Sequence, residues 1–64
     1  MKPTIKYHAE DNAAYIRLSQ QKVLESSEVA PGIVFDYDEK GRLVGIELLD
    51  AKAQLSPELL TDVA

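Results

Sequence analysis

The chain has no cysteine and a single histidine. The first absence removes disulfides and thiolate metal sites. The second leaves any zinc site to be built almost wholly from carboxylates, an uncommon donor set. His8 has no serine or cysteine placed beside it by the sequence, so a nucleophile held by an oriented base has nothing to start from. The chain therefore reads as a non-enzyme without a cofactor. Clustered positive charge is missing as well. Lys2, Lys6, Arg17, Lys22, Lys40, Arg42 and Lys52 stand apart, against 11 acids and a net charge of −4. Nucleic acid is thus not the expected ligand, because phosphate binding needs concentrated cations. No apolar run approaches the roughly 20 residues of a membrane-spanning helix. Residues 1–11, MKPTIKYHAED, lack the apolar core of a secretory signal. The expected compartment is the cytoplasm.

At 64 residues the chain is expected to form one domain, 1–64. A chain of this size buries only about 60% of the surface its unfolded form exposes, which leaves roughly 3–5 kcal/mol of net stability. With disulfides and metals set aside, self-association (a dimer) or a partner is the remaining support. An acidic chain suits a small basic partner, although net charge speaks first to solubility.

What is present is a strand pattern. Residues 4–8 and 13–19 alternate, with Ile5 and Tyr7 on one side and Lys6 and His8 on the other, then Ala14, Ile16 and Leu18 against Tyr15 and Arg17. Between them Ala9-Glu10-Asp11-Asn12 is a turn-forming group. Residues 20–30 read either as an irregular link with a short edge strand or as one or two helical turns. Pro31-Gly32 breaks that segment in the manner of a type II turn. Residues 33–48 then read as a β-hairpin closed around residues 38–41, with Gly41 supplying the left-handed position. That register sets Asp38 against Arg42, Asp36 against Val44, Phe35 against Gly45 and Val34 against Ile46. Near the C-terminus Ser56 and Pro57 mark a helix start. Leu55 and Leu60 have the spacing of a hydrophobic staple, Glu58 suits the positive helix end, and residues 50–54 offer a preceding turn. The expected fold is α+β, a small antiparallel β-meander of about four strands with one short C-terminal helix.

In this register both faces of the second hairpin are apolar. Val34, Val44, Ile46 and Leu48 form one, and Ile33, Phe35, Tyr37 and Leu43 form the other. A half-solvated sheet shows cleaner alternation, so both faces are expected to be covered, one by the C-terminal segment and the other by a second copy or a partner. Glu47 falls on the face of Phe35 and Leu43, where a carboxylate needs a partner. It is expected either to reach water, Arg17 or Lys6, or to act as a specificity charge. The candidate interface is Ile33, Phe35, Tyr37, Leu43 and Glu47.

One motif imitates a calcium loop. Asp36, Asp38, Gly41 and Glu47 fall at positions 1, 3, 6 and 12 of an EF-hand. Lys40 occupies a ligand position, and residues 31–35 contain Pro31 and Gly32 where an entering helix belongs. The hairpin register also sends Asp36 and Glu47 to opposite faces. A small-ligand or metal site on Asp36, Asp38 and Glu47 is the alternative function. Tyr7, Tyr15 and Tyr37 at strand positions suit packing with the hydroxyl at the rim.

Tyr7 with Asp11, Ala14-Tyr15-Ile16, Glu28-Val29, Pro31-Gly32-Ile33, Asp36-Tyr37-Asp38, Gly41 and residues 43–48 together make the chain resemble the YuzE-like family of small bacterial proteins, over residues 5–50. That resemblance implies a small antiparallel sheet with a short C-terminal helix and supplies no activity. It implies a possible antitoxin role by analogy with members that neighbour small toxin-like proteins. Ala14 stands where the family usually has a larger aliphatic residue, which implies a looser core. The leading expectation is a non-enzymatic protein-interaction module, antitoxin-like in its specific form.

Overall fold

The structure is a computed structural model that describes residues 2–61. Five strands are followed by two short helices: β1 (Thr4–His8), β2 (Ala13–Arg17), β3 (Glu25–Ala30), β4 (Ile33–Tyr37), β5 (Leu43–Leu49), α1 (Ala51–Gln54) and α2 (Pro57–Thr61). The strands form one antiparallel sheet in the order β1-β2-β5-β4-β3. The α+β class stands as expected, with five strands instead of about four and two helices instead of one. The extra strand is β3. Its sequence ESSEVA is almost wholly exposed, so it carries no alternation to read. It is also an edge strand held by β4 on one side alone.

The sheet is not a simple meander. Residues 18–24 carry the chain from β2 across to the far edge, passing the end of β5. There Leu18 N–H and Ser19 N–H both donate to the Val44 carbonyl, at 2.9 and 3.2 Å. Leu24 N–H then donates to the Tyr37 carbonyl at 2.8 Å, where β3 begins. The Pro31-Gly32 turn forms as its chemistry demands, with Gly32 at φ +78°.

The turn between β4 and β5 also closes as expected. Asp38 N–H donates to the Arg42 carbonyl at 2.9 Å, Gly41 N–H donates back to Asp38 at 3.0 Å, and Gly41 has φ +74°. Beyond it the register departs from the expectation. Tyr37 pairs with Leu43, but Asp36 pairs with Gly45, Phe35 with Ile46 and Val34 with Glu47. Val44 is the extra residue of a bulge. One inserted residue reverses which side each later residue of the strand faces. Ile33, Phe35, Ile46 and Leu48 therefore share one face, and Val34, Asp36, Gly45 and Glu47 share the other.

The apolar face is the one the helices cover. Ala14, Leu48 and Ala51 are buried together, with Tyr7, Ile16, Ile33, Ile46, Leu55 and Leu60 packed around them. Ala51 is 0% exposed. Ala14, 4% exposed, is one of two small residues in this cluster, with Ala51 of the first helical turn. That turn is capped from outside. Asp50 precedes it in a left-handed conformation with no side-chain cap of its own. Asn12, in the β1–β2 turn, takes over that role. Its backbone carbonyl accepts from Ala51 N–H at 2.8 Å and its Oδ1 from Lys52 N–H at 3.0 Å, while its Nδ2 donates to Asp50 Oδ1 at 2.8 Å.

Candidate functional site

The helix-free face is built by the strand positions that alternate away from the core. Lys6 and His8 lie on β1, Tyr15 and Arg17 on β2, Glu47 on β5, Asp36 on β4, and Ser26 and Glu28 on β3. At its centre is Gly45, flanked by Arg17 on one neighbouring strand and Asp36 on the other. A glycine inside a strand often marks a close approach. Here a Cβ built on Gly45 would overlap the Tyr15 hydroxyl oxygen and ring. The Tyr15 ring lies over the missing side chain, and its hydroxyl extends across β5 toward Asp36.

Asp36 is 3% exposed. Ser26 Oγ donates to its Oδ1 at 2.6 Å, Tyr15 approaches from the other side, and the Glu47 carboxyl lies near it along the same face. Glu47 is pushed above the usual carboxylate range by its contact with Asp36, by burial and by the Asp36 charge, all in the same direction. Tyr15 is raised as well, by burial first and then by its contact with Asp36. Arg17 lies on this face, but its guanidinium donates to the backbone carbonyls of Ser19 and Gln21 and sits 5.6 Å from the Tyr15 ring centroid. Beside the carboxyl pair a depression of about 150 Å³ is lined by His8, Ala13, Tyr15, Glu47 and Leu49 among others. Leu49 at its rim is 51% exposed.

The candidate interface read from the sequence is split by the bulge. Ile33 belongs to the core under the helices. Phe35 and Tyr37 share that face, with ring centroids 6.5 Å apart in an edge-on contact, and Leu43 pairs with Tyr37. Glu47 lies on the opposite side, beside Asp36. Two expectations are corrected here for one reason, the extra residue Val44. Glu47 does not share a face with Phe35, and Asp36 and Glu47 do not diverge. The second hairpin is apolar on one side only.

The imitation calcium loop comes apart at Asp38. Its Oδ1 accepts from the backbone N–H groups of Lys40 and Arg42, both at 2.9 Å, and its Oδ2 from Arg42 Nε at 3.2 Å. These bonds, the Arg42 backbone N–H foremost, hold the Asp38 carboxyl below its ordinary range. Asp38 closes its own turn, while Asp36 points out from the sheet. Among the described residues no group of three or more histidines, aspartates or glutamates converges as a cation site. Tyr15, Ser26 and Gly45 were not singled out by the sequence as site residues. The signal that marks them is Gly45, a glycine inside an apolar strand, set against Phe35 in the expected register.

No curated protein and no solved structure matches the chain. Residues 4–52 match the family described as Protein of unknown function (DUF2283), and a match over so much of the sequence places the chain in that family.

Proposed function

We propose that the protein is a non-enzymatic interaction module that receives a basic partner on the helix-free face of its sheet. The carrying observation is the Asp36–Glu47 carboxyl pair at the centre of that face: every influence on Glu47 raises its proton affinity, and none comes from a cation. Arg17, which lies on the same face, is turned toward the loop after β2. Charge complementarity across an interface chiefly sets partner choice and the rate of encounter. The net charge of −4 acts in the same sense at longer range.

The depression next to the pair, at about 150 Å³, is smaller than the roughly 300–1,000 Å³ of small-molecule sites. That favours an inserted side chain over a free metabolite and sets the small-ligand reading second. The support for self-association changes too. It rested on a hairpin apolar on both faces, and one of those faces is acidic. In its specific form, an antitoxin-like inhibitor of a small basic protein in the cytoplasm, the reading draws on the YuzE-like resemblance together with this acidic face.

Native mass spectrometry at low salt tests the proposal, with the wild type and two variants as bait in host lysate. A stoichiometric complex with a small basic protein is expected. It should be lost in Val34→Arg, which places a cation on the open face, and kept in Leu59→Arg, which alters the exposed surface of α2. A partner held equally by both variants, or a wild type found only as monomer or homodimer, overturns it.

A further inference from the structure

We propose that copies of this chain join edge to edge, β1 of one copy pairing in parallel with β3 of the next, so that their sheets become one. The contact uses the two edges of the sheet and is separate from the partner site at the centre of its open face. β1 and β3 are the outer strands of the order β1-β2-β5-β4-β3, and each is paired on one side alone. The free side of an edge strand is a template for another strand. The β3 edge also leaves apolar surface in the open. Leu24, which leads into it, is 54% exposed, and Val29 within it is 48% exposed.

Charge selects what can lie there. β3, with the sequence ESSEVA, carries Glu25 and Glu28 and no cation. Residues 2–8, KPTIKYH, carry Lys2 and Lys6 and no acid. Two β3 edges brought together would crowd glutamates, and two β1 edges would crowd lysines. Like charges on paired strands are destabilising and unlike charges favourable. The occupant that suits the acidic edge is therefore the basic edge of a second copy.

The sheet directions permit that contact. Every neighbouring pair is antiparallel, so β1, β5 and β3 all run the same way. A copy displaced across the sheet without being turned over presents its β1 parallel to β3, with the helix-covered faces on the same side. Lys6 and Glu28 both alternate to the helix-free face, and both are exposed. Glu28 accepts from Gly32 N–H through its Oε2 at 3.3 Å. Setting Lys6 beside Glu28 brings Ile5 beside Ser27 and Tyr7 beside the exposed Val29, and leaves Lys2 one residue past the level of Glu25. Such a head-to-tail contact is heterologous: it leaves a free edge at each end and does not stop at a dimer.

The test is sedimentation velocity over rising protein concentration, on the wild type, Lys6→Glu, Glu28→Lys and an equimolar mixture of the two variants, with circular dichroism to check each fold. The wild type should form a reversible series that grows past the dimer. The series should shrink as salt rises from about 0.01 to about 1 M, because screening shortens from about 30 to about 3 Å. Each variant alone sets like charges at the junction and should stay monomeric where the wild type associates. In the mixture Lys6→Glu keeps Glu28 and Glu28→Lys keeps Lys6, so unlike edges meet again and association should return. A wild type that remains monomeric, or that stops at a dimer, overturns the proposal. So does a variant that associates like the wild type, or a mixture that stays monomeric. Should Glu28→Lys fail to fold, the wild type and Lys6→Glu decide alone.

Discussion

The hydroxyl of Tyr15 on β2 occupies the space that a side chain on Gly45 of β5 would fill. That single fit lets a residue of one strand reach toward Asp36 two strands away. It also makes Gly45 irreplaceable in a way that backbone conformation does not explain, since its φ is not in the left-handed region.

Replacing Gly45 with alanine should therefore destabilise the protein by roughly 1–3 kcal/mol, the range for overpacking a fitted site. The obstruction is the Tyr15 side chain itself. The same change made in a Tyr15→Ala background should cost much less, with a coupling of about 1 kcal/mol or more in the double-mutant cycle. Urea denaturation followed by circular dichroism measures all four proteins. Equal costs in both backgrounds would show that Tyr15 is not what fills the gap.

Asp38 predicts an acid limb in the stability of the fold. Its carboxyl is held below the ordinary value of 3.8 by the Arg42 and Lys40 backbone N–H groups and by the Arg42 side chain. A carboxyl with a depressed pKa stabilises the fold above its unfolded pKa and gives up that contribution as pH falls through the folded value. Asp38→Asn should lower the urea midpoint at pH 7 and flatten the loss of stability below about 3.8. An acid limb identical to the wild type would remove Asp38 as its source.

Asn12 predicts a local opening. It has φ +50°, and its side chain joins the first hairpin turn to α1 through Lys52 and Asp50. Asn12→Gly keeps the backbone conformation at no steric cost and removes only the side-chain bonds. The expected loss is about 1–2 kcal/mol. Hydrogen exchange should quicken at the α1 amides first, Lys52 above all, while the β4–β5 amides stay protected. Uniform acceleration across the sheet would mean that α1 does not open separately.

Partner binding on the open face should be linked to protons. A cation placed against the Glu47 carboxyl favours its ionised form, so binding should release a proton and strengthen as pH rises above 4.5. Calorimetry of the complex in two buffers of different ionisation enthalpy reads the proton count. Binding that is indifferent to buffer and pH would place the contact elsewhere on the surface.

Most of the local chemistry was legible in the sequence. Alternation located β1 and β2, Pro31-Gly32 and Gly41 located two turns, and Pro57 located the start of α2. Each of these signals acts within a few residues and depends on the chain alone. For residues 20–30 the sequence left a short edge strand and helical turns both open, because exposure on nearly every position of β3 leaves no pattern to decide between them; the edge strand is the one that forms. The bulge at Val44 was the costly omission. Nothing about a valine among apolar neighbours marks it as the residue left unpaired. The choice is made by tertiary fit: Phe35 opposite Ile46 serves the core, and Asp36 opposite Gly45 admits the Tyr15 hydroxyl. From that one step the reading lost the acidic face and found two greasy ones.

The strand order carries a consequence for how such a chain comes into being. β5 is the last strand in sequence and the middle one in space. Until it leaves the ribosome, β1 with β2 and β3 with β4 are two separate ribbons with no shared partner. Isolated two-stranded ribbons are marginal in water. A nascent chain halted before residue 43 therefore has nothing to assemble around, and translation of the fifth strand is the moment at which the whole sheet becomes possible.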